Sequence, residues 1–495
     1  MGVIARQSFK DSLVRYAGVG IGAISTLFIF PLALREIGLI RFLISTALLF
    51  MPFASFSSTN LGIRFFPSFR DKERNNNGFL GLLIVFSTLS FLLFTLVVFL
   101  FKGAILKVYS GKEDLFLNHL FYFLPICFLL IQINVLTSYT SNFQRIVVPT
   151  IANDFLHKIT LPILILLFYF QHLSIIELIW GVILTHVANL LVLVAYLAYL
   201  GEFSLKLDFK YLNRQLISQM SNYGFFSLLG SLGGIFATQI DVFMVGSLLD
   251  TELTGTFSIL LFVASTISVP KRAMDGVTSP LVAQAWKSND LNKIDDLYKK
   301  TSTNLFLVGS FLLALIWLNF PDLTHITPNG EKLLAGKYVI LLIGGGLIVD
   351  MITSINGFII NFSPFYKFGF YSIIILGILN IVLNFLLIPV LGINGAALAT
   401  FLSLIIYNAF KVGYVKIKFG LSPFTSKIPV IIMGVAIMSL IGMISPVLNN
   451  PFLGIGLRST LMVLFFGIYT LSLAISPDLN DFVINKLPKG WIKKK

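Results

Sequence analysis

A few ionisable side chains stand inside or at the ends of long apolar stretches. They are Asp241 in Thr238-Gln239-Ile240-Asp241, Asp350, His186, and the group Lys271, Arg272 and Asp275 just after Pro270. Arg15 opens the first apolar stretch and Arg64 closes the second. In hydrocarbon each such charge costs at least about 2.5–3.5 kcal/mol at a helix centre, so it marks a pathway, a partner or an interface. An unpaired carboxylate there has its charged form disfavoured and takes up a proton or another cation. Asp241 and Asp350 are the ion-coupling candidates on this ground, with H+ or Na+ as the ion and no other cofactor expected. Arg holds phosphate oxygens bidentately and Lys serves as a point charge. Arg15, Arg64, Lys271 and Arg272 are the candidates for an anionic head group. A second reading stands beside each. The four cations also suit interfacial anchors whose heads snorkel to water. Either carboxylate also suits a structural pair, and His186 a hydrogen-bonded packing residue.

The chemistry of an enzyme is not legible. The longer outer loops, Lys102–Leu117 and Asn319–Leu334, bring no cluster of His, Asp and Glu. No Gly-Lys-Ser/Thr phosphate loop is present, and Gly344-Gly345-Gly346 falls inside an apolar stretch, where packing or a kink explains it. The single cysteine, Cys127, has no partner for an intrachain disulfide and no metal motif. No catalytic residue and no metal ligand is expected.

The elements that position these residues follow from composition. Of 495 residues, 56% are hydrophobic and only 12% charged, and the mean hydropathy is +0.90. A soluble domain is nearer a quarter charged, so lipid is the solvent for much of this chain. A spanning helix needs about 20 apolar residues. Fourteen spans are read at about 13–34, 40–63, 79–101, 117–139, 146–170, 175–200, 220–249, 254–280, 302–320, 335–361, 367–389, 393–415, 428–448 and 455–476. The segment from Phe79 to Phe101 is apolar on every face. A transmembrane β-barrel strand would alternate, so the fold class is all-α and polytopic.

The net charge of +14 is explained by position. With a cytoplasmic N-terminus, 28 of the 36 Lys and Arg residues fall on the cytoplasmic side and 8 on the outer side. That is the bias of the positive-inside rule, and it puts both termini in the cytoplasm. A nucleic-acid partner would need a basic face on a polar domain, which the chain lacks. Neither a removable signal peptide nor a myristoylation signal is expected, since Arg6 stands where the latter wants Ser or Thr.

The chain also repeats. A shift of about 217 residues carries spans two to six onto spans eight to twelve, and the basic loop at 64–77 onto that at 283–300. An even number of spans keeps orientation, so the halves are expected to be parallel repeats about an axis along the membrane normal. The expected organisation is a six-helix lobe at 1–215, a second at 216–418, and two further helices with a basic tail at 419–495.

One stretch carries a family likeness. Leu379-Asn380-Ile381-Val382-Leu383-Asn384, followed by Ile388-Pro389-Val390-Leu391-Gly392-Ile393-Asn394-Gly395-Ala396-Ala397-Leu398-Ala399-Thr400, resembles a signature of the polysaccharide and oligosaccharide-lipid exporters. These belong to the multidrug/oligosaccharidyl-lipid/polysaccharide exporter superfamily. Weaker matches are Leu34–Gly38, Asn60–Arg64, Gln239–Gly246, Gly255–Ser258 and Ser279-Pro280. The small residues of the main motif let helices approach, and Gly392 to Gly395 suits a short turn, so the motif marks a fold. The resemblance implies an alternating-access flippase, with a central cavity lined by spans one, two, seven and eight. Its substrate would be an oligosaccharide on an undecaprenyl-pyrophosphate-type carrier, in a bacterial cytoplasmic membrane, with the protein acting as a monomer. The chain departs from the peptidoglycan-precursor branch, which carries more cavity arginines near the start. Two other readings are a cation-coupled multidrug exporter, usually of twelve spans, and a membrane polysaccharide polymerase or ligase, which would need a large outer loop.

Overall fold

The computed structural model describes residues 18, 20–71, 73–143, 145, 147–208, 211–446 and 448–476. Among them there are helices and no strand, as the run of all-round apolar segments requires. Eleven helices are long and apolar enough to cross a membrane, or thirteen if two sharply bent pairs each count as one span. The expected spans one and two fall together on Gly20–Ser55, and the backbone between them is interrupted at Ala33 (φ −138°, ψ 65°). The count of fourteen is therefore not reproduced as such. Several boundaries fall within a few residues of expectation: Phe79–Leu100, Ile175–Tyr199, Tyr366–Leu391 and Lys427–Ile444.

Local chemistry explains the helix ends. Ser174 caps the 175–199 helix by accepting from Glu177 N, and the Glu177 carboxylate bonds back to Ser174 N at 2.7 Å. This is a capping box, which satisfies two otherwise orphaned amides. Asp290 caps the Leu291–His325 helix through Lys293 N. The polar first turns of that helix carry the i,i+4 pairs Asp295–Lys299 and Asp296–Lys300 before it turns apolar.

The chain divides into two compact units, residues 1–259 and 260–495. The expected lobe boundary at 215/216 follows the count of spans; the compact division follows packing. The Arg214–Leu248 helix packs extensively on Leu34–Ser55 and so groups with the first unit. Within that unit Leu34–Ser55 also packs on Phe79–Leu100 and Phe123–Ser141, around Leu39, Leu43, Leu83, Phe123 and Val135. The outward face of Phe79–Leu100 leaves Leu89, Leu92, Leu93, Leu96 and Leu100 exposed. A surface of that kind is stable against lipid, where helices already satisfy their own backbone groups.

In the second unit Ile393–Phe419 packs along both Tyr366–Leu391 and Tyr338–Thr353. The exporter-like motif is the joint of the first pair. Gly392 adopts φ 57°, ψ −137° between the two helices, and a Cβ on Gly395 would stand 2.2 Å from the Leu387 carbonyl. Asn380 Nδ2 donates to Thr400 Oγ1 at 3.3 Å, and Asn384 donates to Asn380. The motif thus fixes a helix hairpin, as its small residues imply. The last two long helices, Lys427–Ile444 and Pro451–Ser472, dock on Leu291–His325.

Candidate functional site

The second unit holds a group of charges within its spans. A 3-10 turn at Thr266–Ser268 precedes the Val269–Lys287 helix, with Pro270 in its first turn, where a missing N–H costs nothing. At the next residue, Lys271 Nζ lies 3.0 Å from Asp275 Oδ2 on the same helix. It also lies 3.5 Å from Asp350 Oδ2 on Tyr338–Thr353. That helix ends where Ser354 takes φ 46°, and the chain turns by 51° into Asn356–Phe362. Both partners therefore sit beside interruptions in their spans. Interrupted spans that line a site are a recurrent device in transporters.

The Ile393–Phe419 helix closes the group from a third side. Asn408 Nδ2 approaches Asp350 Oδ1 at 3.4 Å, and Asn408 Oδ1 accepts from Thr353 Oγ1 at 2.9 Å. One turn further, Lys411 is buried, with 6% of its surface exposed, and its ammonium lies 4.4 Å from the Tyr407 ring centre. Two lysines and two aspartates balance in charge, which is what allows them to sit in low dielectric at all. Asp275 Oδ1 is buried with no hydrogen-bond partner. The arrangement has no nucleophile paired to a base. It can exchange partners: an incoming anion can take Lys271, and a released carboxylate can take a cation.

The sequence candidates fall in both units. Lys271 and Asp350 are brought together, so Lys271 is a counter-ion as well as an anion candidate. Arg272, the next residue, is exposed and donates to Ser268 Oγ at 3.2 Å. Arg64 is exposed at the end of the Ser58–Arg64 helix, with its guanidinium 4.7 Å from the Tyr223 ring centre. Asp241 is buried, just beyond a 64° bend between Arg214–Phe236 and Thr238–Leu248, and has a polar partner. His186 is buried and its Nδ1 bonds the Val182 carbonyl at 2.8 Å, which is the packing role. Arg15 lies outside the described residues.

Lys411 was missed as a site residue. It is one of the 28 cations that the charge alternation puts on the cytoplasmic side, near the end of the span expected at 393–415, yet the helix runs on to Phe419. The available signal was its spacing from Asn408, which puts two polar side chains on one helix face. Arg458, one of the 8 cations that the charge alternation puts on the outer side, is likewise buried. Its Nη1 meets Asp322 Oδ2 at 2.6 Å and the Leu318 carbonyl at 3.0 Å, while Nε meets the Gly442 carbonyl and Ser445 Oγ. It ties the last helix hairpin to the 291–325 helix.

A second polar group in the first unit joins the 101–113 segment to the 247–251 turn. Arg35 Nη2 pairs with Glu113 Oε2 at 2.8 Å, and the same oxygen accepts from Thr251 Oγ1 at 3.3 Å. Tyr109 and Ser247 share a hydroxyl bond of 2.9 Å, and Lys112 Nζ donates to the Leu249 carbonyl. Burial pushes the Lys112 ammonium below its usual range against the opposing pull of Asp250 and Glu113. Two glycines allow the approach. A Cβ on Gly38 would stand 1.7 Å from the Thr251 carbonyl, and one on Gly255 2.1 Å from the Leu34 carbonyl.

No family model matches the chain. It is 26% identical over 207 residues to the "Probable low-salt glycan biosynthesis flippase Agl15" of Haloferax volcanii, a match over 41% of this chain and 43% of that protein. The chain thus spans less than half the length of the curated relative it matches. Its fold is similar to that of the lipid II flippase MurJ in an inward closed conformation, with a TM-score of 0.72, 14% identity, and coverage of 96% of this chain and 99% of that one. It is also similar to an inward-facing multidrug resistance MATE family transporter of the MOP superfamily, with a TM-score of 0.59, 14% identity, and coverage of 85% and 95%. The chain is a multi-pass helical membrane protein with the fold of these transporters, and the exporter likeness read from the 379–400 motif points to the same set of proteins.

Proposed function

We propose that the chain is an alternating-access flippase for an oligosaccharide carried on a polyprenyl pyrophosphate, of the undecaprenyl type in a bacterial cytoplasmic membrane. The observation that carries this reading is Lys271 held between Asp275 and Asp350 inside the spans, with Lys411 and Asn408 beside them. Charges are kept at membrane depth at a cost of several kcal/mol, and they mark substrate and ion pathways. The likeness to a glycan flippase supports the substrate class.

The proposed cycle is an exchange of partners. The pyrophosphate of the carrier engages Arg272 and draws Lys271 away from its carboxylates. Asp350 and Asp275 are then in excess, and they take up H+ or Na+. Release of the anion on the far side returns Lys271 to Asp350 and expels the cation. No step makes or breaks a covalent bond, and no bound cofactor takes part.

Reconstituted protein would distinguish this from multidrug export. Uptake of a cationic dye into proteoliposomes, measured with and without a short-chain prenyl-pyrophosphate-linked sugar, reads both activities. Movement of the sugar-bearing lipid without dye transport supports the proposal. Dye transport driven by a cation gradient, with no lipid movement, refutes it in favour of an exporter.

A further inference from the structure

The proposed cycle draws Lys271 away from two carboxylates and later returns it. A second cation stands beside the same group and has no task in that cycle. Lys411 lies on the Ile393–Phe419 helix with only 6% of its surface exposed. Among the described residues its ammonium has neither a carboxylate within 4 Å nor a hydrogen-bond partner. It rests on the Tyr407 ring, 4.4 Å from the ring centre. A buried ammonium has three N–H groups to satisfy, and a ring face offers them no lone pair.

The helix aims Lys411 at Asp350. Side chains on a helix lean towards its N-terminus, and contact with Tyr407, four residues earlier, shows that Lys411 does so. Asn408 stands three residues earlier, about 4.5 Å along the helix and on the same face. Its Nδ2 approaches Asp350 Oδ1 at 3.4 Å. The facing wall is the Asn356–Phe362 helix, which follows the break at Ser354. There Asn356 Nδ2 donates to Asn408 Oδ1 at 3.4 Å, and a Cβ on Gly357 would stand 3.4 Å from Lys411 Nζ. The ammonium, the Asn408 amide and the Asp350 carboxylate thus follow one another along one face. The flexible four-carbon stem of a lysine is long enough to carry its ammonium over one helical turn.

Lys271 keeps it off the carboxylate. With Lys271 Nζ at 3.5 Å from Asp350 Oδ2, a second ammonium on Asp350 would meet the first at short range, which like charges resist. Asp275 is placed differently. It lies on the Lys271 helix, its ion pair and hydrogen bond run to Lys271, and its Oδ1 is buried with no hydrogen-bond partner.

We infer that Lys411 is a reserve counter-ion for Asp350. When Lys271 leaves, the Lys411 ammonium moves from the Tyr407 ring to the Asp350 carboxylate, and Asp275 is the group left for an external cation. Two carboxylates then face one remaining ammonium, so one monovalent cation restores the balance. This narrows the cation uptake of the cycle to Asp275. The exchange is a property of the four side chains; its part in transport rests on the proposed function.

The exchange is tested without transport. Lys271→Gln imitates the vacated state, and the structure of that full chain, solved by electron microscopy with a bound antibody fragment, is expected to place Lys411 Nζ in ion-pair contact with Asp350 and off the Tyr407 ring. Lys411 still on the ring, with Asp350 unpaired, overturns the inference. Melting temperatures give a second reading. Lys411→Met in the wild-type chain removes a buried ammonium that lacks an acceptor and is expected to raise the melting temperature or leave it. In the Lys271→Gln chain the same change strips the carboxylates of their last cation and is expected to lower it. The same shift in both backgrounds overturns the inference. Where Lys271→Gln does not yield folded protein, Lys271→Gln/Asp275→Asn, which removes one charge of each sign, decides by the same two criteria. In vesicles, the dependence of lipid movement on H+ or Na+ is expected to saturate simply for the wild type and to turn sigmoidal in Lys411→Met, where two carboxylates need external ions. A simple curve in both overturns the count of one cation. Absence of lipid movement by the wild type sinks the proposed function, and the structure and the melts then decide the exchange by themselves.

Discussion

The Lys271 ammonium and the Asp350 carboxylate meet at 3.5 Å across two spans, each interrupted within a few residues of the contact. Neither is fully shielded, with side-chain exposures of 18% and 28%. Lys271→Ala therefore leaves two carboxylates short of a cation. It is expected to cost on the order of 2 kcal/mol, below the 3–5 kcal/mol of a wholly buried pair. The double variant Lys271→Ala/Asp350→Asn is expected to recover part of that loss. Thermal melts of the four proteins in a double-mutant cycle measure it, and simple additivity would mean that the pair is not coupled.

Gly38 and Gly255 let the 34–55 and 251–265 helices touch backbone to backbone. A leucine at either position requires the helices to part. Gly38→Leu is expected to cost at least about 2 kcal/mol, as overpacking without a flexible neighbour does. Glycine-to-leucine at Gly103, where a side chain would meet open space, is the control. Equal melting temperatures for the two variants would contradict the close crossing.

Arg458 holds the last hairpin to the 291–325 helix through Asp322, two backbone carbonyls and Ser445. Arg458→Ala strands the Asp322 carboxylate, whose side chain is only 14% exposed. The expected loss is about 3 kcal/mol, and Asp322→Asn in the same chain is expected to relieve it in part. Limited proteolysis of the 445–450 connection should be faster in the single variant and slower again in the double one.

The alternation of loop cations makes a topological prediction. Reporter fusions after Lys112 and after Lys299 are expected to report opposite sides of the membrane, with Lys299 cytoplasmic. Matching sides would refute the assignment of both termini to the cytoplasm.

The extent to which the sequence revealed this depends on which physical signal each element leaves. Spans such as Phe79–Leu100 are legible because apolar length is a one-dimensional property. The 379–400 hairpin is legible for a similar reason, since Gly392 and Gly395 act within one local turn. Helix rotation is not local, and the candidate site depends on it. Lys271 and Arg272 are neighbours in sequence, but about 100° of helical turn separates them, and only the first faces Asp350. Lys411 and Arg458 looked like loop cations because each stands near a span end; burial by a neighbouring helix is what changes their role.

The central claim is that a lipid-linked sugar crosses the membrane through this chain. The direct measurement uses proteoliposomes holding a prenyl-pyrophosphate-linked oligosaccharide with a fluorescent sugar, quenched from outside by an impermeant reductant. The account predicts that wild-type protein brings the protected inner pool to the surface at a rate well above protein-free vesicles. Lys271→Ala and Asp350→Asn are predicted to slow it at least about tenfold, a change of 1.4 kcal/mol in the barrier, while Arg74→Gln keeps the wild-type rate. Wild-type vesicles that are indistinguishable from empty ones under imposed H+ and Na+ gradients, with folded protein confirmed, would contradict it.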